Sequence, residues 1–237
     1  MKCRIAHFNI DFKYNYRHLR DICTSFNFDF INTDLFIDLS LDEIKFEKYS
    51  SIEDLHFCYF ESILAHRKLA EWLPTHGAFV LHSACFDVGG VGVAFAAHSG
   101  TGKTTHMRLW KEYLGDKMVV VNGDKPIVRF FEDEPETPYA YGTPWNGKEG
   151  LGCNMRTPMK HICFIERAEE NSCEPMGSGE AIDLIFNQVY MPKDPLAVLA
   201  TMQLINRFIN SCTLWKIKCN MDISAAEVAY KTIFPEG

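Results

Sequence analysis

Val91-Gly92-Val93-Ala94-Phe95-Ala96-Ala97-His98-Ser99-Gly100-Thr101-Gly102-Lys103-Thr104-Thr105 passes from an apolar run through a glycine-rich turn into a helical pattern. Val91 to Ala96 reads as a buried strand. Thr101 to Tyr113 reads as a helix ending near Gly115, with Met107, Leu109, Trp110 and Leu114 as its apolar stripe. The turn between them is a relaxed Walker A pattern, with Ala97 where the strict form has glycine. Gly100 and Gly102 let successive N–H groups point inward as an anion nest, and the helix starting near Gly102 aims its positive end at the same place. Lys103 is placed to reach β- and γ-phosphates, and the Thr104 hydroxyl to bind Mg²⁺. The expected ATP-phosphate contacts are His98, Ser99, Gly100, Thr101, Gly102, Lys103, Thr104 and Thr105.

Upstream, Ala78 to Phe86 reads as one strand, joined to Val91–Ala96 by the turn Asp87-Val88-Gly89-Gly90, so the pair forms a hairpin. His82 lies in the middle of that apolar run, where a histidine is ordinarily a satisfied core residue. Downstream, the buried strand Met118 to Asn122 runs into Gly123-Asp124-Lys125-Pro126. A phosphate cradle needs an acid to hold Mg²⁺ or take a proton from the acceptor, and Asp124 stands where that acid belongs. Asn-Gly and Gly-Asp are also common hairpin dipeptides, so an ordinary turn would carry the same residues.

Elsewhere the pattern is mixed. Residues 1 to about 50 read as short strands with one helix around Tyr16 to Phe26, and Ser51 to Leu73 as a helix closed by Pro74. Pro126 to Phe131, His161 to Ile165 and Leu214 to Lys218 read as strands. Ala181 to Tyr190, Pro195 to Ile209 and Ala225 to Ile233 read as helices. The division expected is an N-terminal extension over residues 1–75, packed on a P-loop core over 76–237.

With 237 residues, 47% hydrophobic and a net charge of −7, the chain is long enough to bury a core. Its acidity argues against coating nucleic acid or an anionic membrane. The nine cysteines are odd in number, and no two stand in a C-x-x-C arrangement, so reduced thiols in a cytoplasmic protein are expected. No signal-like segment or uninterrupted membrane-length apolar run is present in the sequence.

His82, the hairpin, Ser99-Gly100-Thr101-Gly102-Lys103-Thr104 and Asp124 in this order resemble the catalytic domain of HPr kinase/phosphorylase over roughly residues 78–170. The loop is also similar to that of ATP-dependent phosphoenolpyruvate carboxykinase. Nearly the whole chain resembles the HPr-kinase-related proteins of Firmicutes, whose N-D-D-K-P, Y-G-T-P-W-x-G-K and C-N-M-D segments read here Asn122 to Pro126, Tyr141 to Lys148 and Cys219 to Asp222. The resemblance implies an α/β (α+β) P-loop fold with a mixed, largely antiparallel twisted sheet flanked by helices. It implies Asp124 as base or metal partner, His82 near the phosphates, and self-association, for which the aromatic-rich first 75 residues could supply an interface. The chain departs from the pattern at Gly123, where those kinases have a second acid, and it lacks their N-terminal domain.

Tyr141 to Gly152 is too glycine-rich and polar for a core strand and suits a loop covering substrate. Lys148 or Arg156 would neutralise charge on the transferred group, Trp145 would exclude water, and Glu149 lies beside them. A structural turn with a solvent-facing lysine is the plainer alternative. The expected catalytic set is Asp124, His82, Lys103 and Lys148, with Thr104 and Asp124 on Mg²⁺. The expected activity is transfer of the γ-phosphoryl of ATP to a hydroxyl, on a Ser/Thr of a protein or peptide or on a small metabolite. A carboxykinase-like lyase and a nucleotide-binding sensor without turnover are the alternatives.

Overall fold

The computed structural model describes residues 1–97 and 100–235; His98 and Ser99 of the glycine-rich turn therefore lie outside the described residues. The chain opens with β1 (Lys2–Ile5) and β2 (Phe8–Lys13), an antiparallel pair with Ile5 opposite Phe8. Their two-residue turn holds Ala6 at φ 51° and His7 at φ 62°, a left-handed pair that Asn-Gly would adopt with less strain. After α1 (Arg17–Ile22), β3 (Leu35–Asp38) joins β2 in parallel, completing a three-stranded sheet.

Two helices follow, α2 (Leu41–Ser50) and α3 (Phe57–Trp72). The reading of residues 1–50 as short strands with one helix omitted α2. A capping box starts it: the Ser40 hydroxyl accepts from the Glu43 N–H, and the Glu43 carboxylate accepts from the Ser40 N–H. Glu61 of α3 is fully buried, its carboxylate accepting the N–H groups of Asn15 (2.6 Å) and Tyr16 (3.0 Å) and so tying α3 to the start of α1.

The large sheet follows. Ala78 to Phe86 is not one strand. It divides into β4 (Ala78–Val80) and β5 (Ala84–Val88), with β6 (Val91–Ala96) closing the expected hairpin. Then come α4 (Lys103–Leu114), β7 (Met118–Asn122), β8 (Ile127–Arg129) and β9 (Tyr139–Tyr141). The chain continues through β10 (Arg156–Arg167), β11 (Ser172–Pro175), α5 (Ser178–Phe186), α6 (Pro195–Ser211), β12 (Thr213–Cys219) and α7 (Ser224–Ile233).

The strand order is β4-β8-β9-β10-β6-β5-β7, with β12 pairing β10 and β11 off that path. The sheet branches because β10 is long and irregular between Met159 and His161. Its first residues pair β9 antiparallel, and its later ones lie parallel between β6 and β12. All other pairings in this sheet are antiparallel. The result is a mixed α/β architecture with helices on both faces.

The period-2 alternation of strand side chains explains why β6 and β10 read as continuous apolar runs. Ala94, Ala96, Ile162 and Phe164 face the layer of α5 and α6. Val93, Phe95, Cys163 and Ile165 face α4 and α7, where Trp110 is fully buried 5.5 Å from Phe95. A third apolar cluster joins the three-stranded sheet and α3 to Ala78, Val80, Ile127 and Tyr141 of the large sheet. No helix is long and apolar enough to cross a membrane among the described residues.

Two imidazoles are enclosed in this packing. Burial pushes the pKa of His106 in α4 down to about 4, and burial with the nearby Lys125 charge pushes that of His66 in α3 down to about 3. An unfolded histidine binds its proton near pH 6.5, so the unfolded chain takes up protons first. The stability these groups give is complete above pH 6.5 and is lost as pH falls from 6.5 towards 4 for His106 and towards 3 for His66. The urea midpoint is expected to drop across that window, His106 alone accounting for about 3 kcal/mol. In His106→Gln the pH slope should be visibly shallower; an unchanged slope would contradict this assignment.

Candidate active site

α4 starts directly from the glycine-rich turn. Gly100 and Gly102 hold φ of 77° and 122°, and Gly102 caps the helix with no side chain of its own, so among the described residues no side chain caps the first N–H groups of α4. Lys103 is buried, and its ammonium donates to the carbonyl of Ala97 at 2.9 Å. Burial lowers its pKa, opposed by the charge of Asp124. From the end of β10, Arg167 donates to the carbonyls of Gly100 and of Thr101 (3.1 Å), holding the turn from outside. The sequence reading gave Arg167 no part.

The break between β4 and β5 places His82. Its N–H donates to Gln188 O at 2.6 Å, the Leu81 N–H to Pro126 O at 3.0 Å, and the Ser83 N–H to Asp124 O at 3.0 Å. These bonds pull residues 81–83 out of a single ladder and turn the imidazole towards the end of β7. His82 Nε2 sits 3.3 Å from Asp124 Oδ1, and Lys125 Nζ sits 3.4 Å from Oδ2. Burial alone would raise the Asp124 pKa, but the hydrogen bond to His82 and the charge of Lys125 outweigh it and hold the carboxyl below its ordinary value. Asp124 is thus charged at neutral pH.

Asn122, fully buried, fixes this turn. Its Oδ1 accepts from the N–H groups of Asp124 (2.9 Å) and Lys125 (2.7 Å), and its Nδ2 donates to Thr143 Oγ1 (2.9 Å) and O (3.3 Å). Thr143 Oγ1 in turn donates to Lys125 O at 2.9 Å. In the sequence Asn122 reads as the end of a strand and one half of a hairpin dipeptide; side-chain acceptance two and three residues ahead is the Asx-turn habit of asparagine.

The segment after β9 folds over Asp124. Gly147, at φ 83°, lies so near that a Cβ there would come 3.1 Å from the Asp124 Cβ. Lys148 and Glu149 are exposed at the rim, and Glu149 pairs with Arg108 of α4. Trp145 does not line the cavity. Its indole N–H donates to Ser62 O and Oγ, both at 3.1 Å, and its ring meets His66 at 4.9 Å, fastening the loop to α3. Arg156 lies apart on β10, its guanidinium 4.5 Å above the Tyr139 ring and 3.3 Å from the Tyr141 hydroxyl.

One cavity of about 440 Å³ gathers His82, Gly100, Gly102, Lys103, Thr104, Thr105, Asp124 and Lys148, with Glu149 at its edge. A second, about 380 Å³ and more apolar, opens beyond Gly102 and Thr105, which line both; Thr101, His106, Arg167 and Met221 are among its other lining residues. Neither cavity contains a three-residue His/Cys/Asp/Glu metal cluster among the described residues, and all nine cysteines are free.

No family model matches the chain, and no curated protein matches it. Among solved structures, the chain is similar to the HPr(Ser) kinase/phosphatase from Coxiella burnetii. The TM-score is 0.30 and the identity 10%, over 55% of this chain and 91% of that one. At that distance the likeness assigns no residue and no activity.

Gly123 has its own explanation in this chain. Its N–H donates to Leu151 O at 2.8 Å, and a Cβ would come 3.1 Å from the carbonyls of both Asn146 and Leu151. The covering loop occupies the space that a second acid would need. Gly123→Asp is expected to lower stability by roughly 1–3 kcal/mol and to expose the 142–152 loop to protease. A variant as stable and as resistant as the parent would contradict that packing.

Proposed function

We propose that this chain is an ATP- and Mg²⁺-dependent phosphotransferase, on a P-loop fold of the HPr-kinase/phosphoenolpyruvate-carboxykinase kind, that moves the γ-phosphoryl group to a hydroxyl. The observation carrying this is the meeting, in one cavity, of a buried lysine at a helix N-terminus with a charged, histidine-oriented aspartate. A buried ammonium whose described hydrogen bond is to a carbonyl is short of counter-charge, and a phosphate chain supplies it.

In this reading Lys103, with the N–H groups from Gly100 to Thr105, holds the β- and γ-phosphates. The shared wall at Gly102 and Thr105 lets the nucleoside half lie in the more apolar second cavity. The Thr104 hydroxyl and the Asp124 carboxylate are hard oxygen donors in the same cavity. They would fit Mg²⁺ and hold it beside the phosphates. Bound there, the ion neutralises charge on the phosphate oxygens.

Asp124 accepts the proton as the acceptor oxygen attacks phosphorus and ADP departs. His82 orients the carboxylate through Oδ1. Lys148 at the rim faces the transferred group and the incoming acceptor. The acceptor hydroxyl belongs to a Ser/Thr side chain of a protein or peptide or to a small metabolite.

The test is transfer from γ-labelled ATP with Mg²⁺ into a cell extract divided into macromolecular and small-molecule fractions. Asp124→Asn should bind ATP like the parent and lose about 10²–10⁴ in transfer rate. Lys103→Ala should lose ATP binding itself. Label in one fraction names the acceptor class. ATP binding with no label in either fraction would contradict turnover and leave a nucleotide sensor.

A further inference from the structure

A separate concave site lies where the first hairpin meets β9 and β10. Arg4, His7, Asn27, Tyr141, Asn154 and Arg156 help to line a cavity of about 210 Å³, and no carboxylate is among the lining residues described. Arg129 of β8 stands behind it, donating to Ala6 O at 2.6 Å. None of Arg4, Arg129 and Arg156 forms an ion pair among the described residues.

Each is held instead by neutral groups and an aromatic face. Arg4 donates from Nε to Asn9 Oδ1 at 2.9 Å and lies 3.5 Å above Phe28, while Arg129 lies 3.6 Å above Phe8. In a chain of net charge −7, the three arginines converge here without a direct ion pair; the carboxylates of Asp34 and Glu134 act on Arg129 and Arg156 only from a distance. Their field is visible at His7, whose pKa is lowered by burial and then by Arg156, Arg129 and Arg4.

The backbone gives independent support. The strained Ala6-His7 turn holds the His7 ring against Tyr141 (5.2 Å) and Phe131 (6.0 Å). Asn-Gly would close the same hairpin without strain, but it would bring no imidazole to the cavity.

We propose that this cavity binds a small phosphate monoester. The phosphate oxygens are taken by Arg4 and Arg156 with the side-chain amides of Asn27 and Asn154, and the organic part lies against Phe28 and Tyr141. The site does not depend on the phosphotransferase reading. It is joined to the main cavity covalently: Asn154, whose amide donates to Ser25 O at 2.8 Å, follows directly on the loop that carries Asn146 to Leu151.

Phenyl phosphate is the probe, titrated by calorimetry against the full chain carrying Lys103→Met, which removes the anion partner in the main cavity. Binding is expected to persist in that variant. Asn154→Asp, an exposed change that puts a carboxylate at the cavity wall, should then weaken it by roughly tenfold or more, with the urea midpoint lowered only by the loss of the one exposed hydrogen bond to Ser25 O. Arg4→Gln with Arg156→Gln should do the same. Loss of all binding on Lys103→Met alone, or binding indifferent to Asn154→Asp, would overturn the proposal. Either result leaves the transfer assay of the main site to stand or fall by itself.

Discussion

The amide of Asn122 holds together the segments that make the main cavity. It ends β7, pairs with Cys85 across the ladder, accepts from the backbone of Asp124 and Lys125, and donates to Thr143 at the head of the covering loop. Because Asn122 has no exposed surface, each bond lost would leave a buried polar group unpaired, at about 1–3 kcal/mol apiece. The position of Asp124 relative to Lys103 follows from this clamp. The loop over Asp124 has a second anchor at its Trp145 end, on Ser62 of α3.

The N-terminal residues are therefore tied mechanically to the site. Glu61 fastens α3 to the β2–α1 connection, and the adjacent Ser62, with His66 one turn further on, receives Trp145. A disturbance of the first sheet would reach the covering loop through α3, and also through Asn154 on Ser25. The missing second acid at Gly123 fits the same account. This chain brings loop carbonyls to that point, whereas the N-D-D-K-P pattern it resembles has a carboxylate. Asp124 is thus a single carboxylate flanked by His82 and Lys125.

Much of the central layer was legible in the sequence because its signals are local. Gly89-Gly90 between two apolar runs gave the β5–β6 hairpin. The stripe Met107, Trp110, Leu114 gave α4, and the run ending at Asn122 gave β7. What escaped depends on distant partners. Ala78 to Phe86 is apolar on both sides of His82-Ser83, because both flanking halves are buried; the polar pair marks the place of the break at 81–83, but the break itself is made by bonds to Gln188, Asp124 and Pro126. Arg156 and Trp145 stand near Lys148 in sequence and were grouped with it. β10 carries the arginine to another cavity, and α3 draws the tryptophan away. The short strands β9 and β11 exist only through their neighbours. The Ser40–Glu43 box was readable and was passed over.

In the proposed reaction a phosphate chain runs from the second cavity over Gly102 and Lys103 towards Asp124. The most direct measurement is a crystal structure of the chain with ADP, Mg²⁺ and a planar phosphoryl mimic such as aluminium fluoride. The account predicts the β-phosphate within hydrogen-bond reach of the Lys103 ammonium and the α4 N–H groups, the base in the cavity beside His106 and Arg167, and the mimic between Lys103 and Asp124. Nucleotide density elsewhere, or a base lying in the Asp124 cavity with the phosphates pointing away from it, would contradict the account.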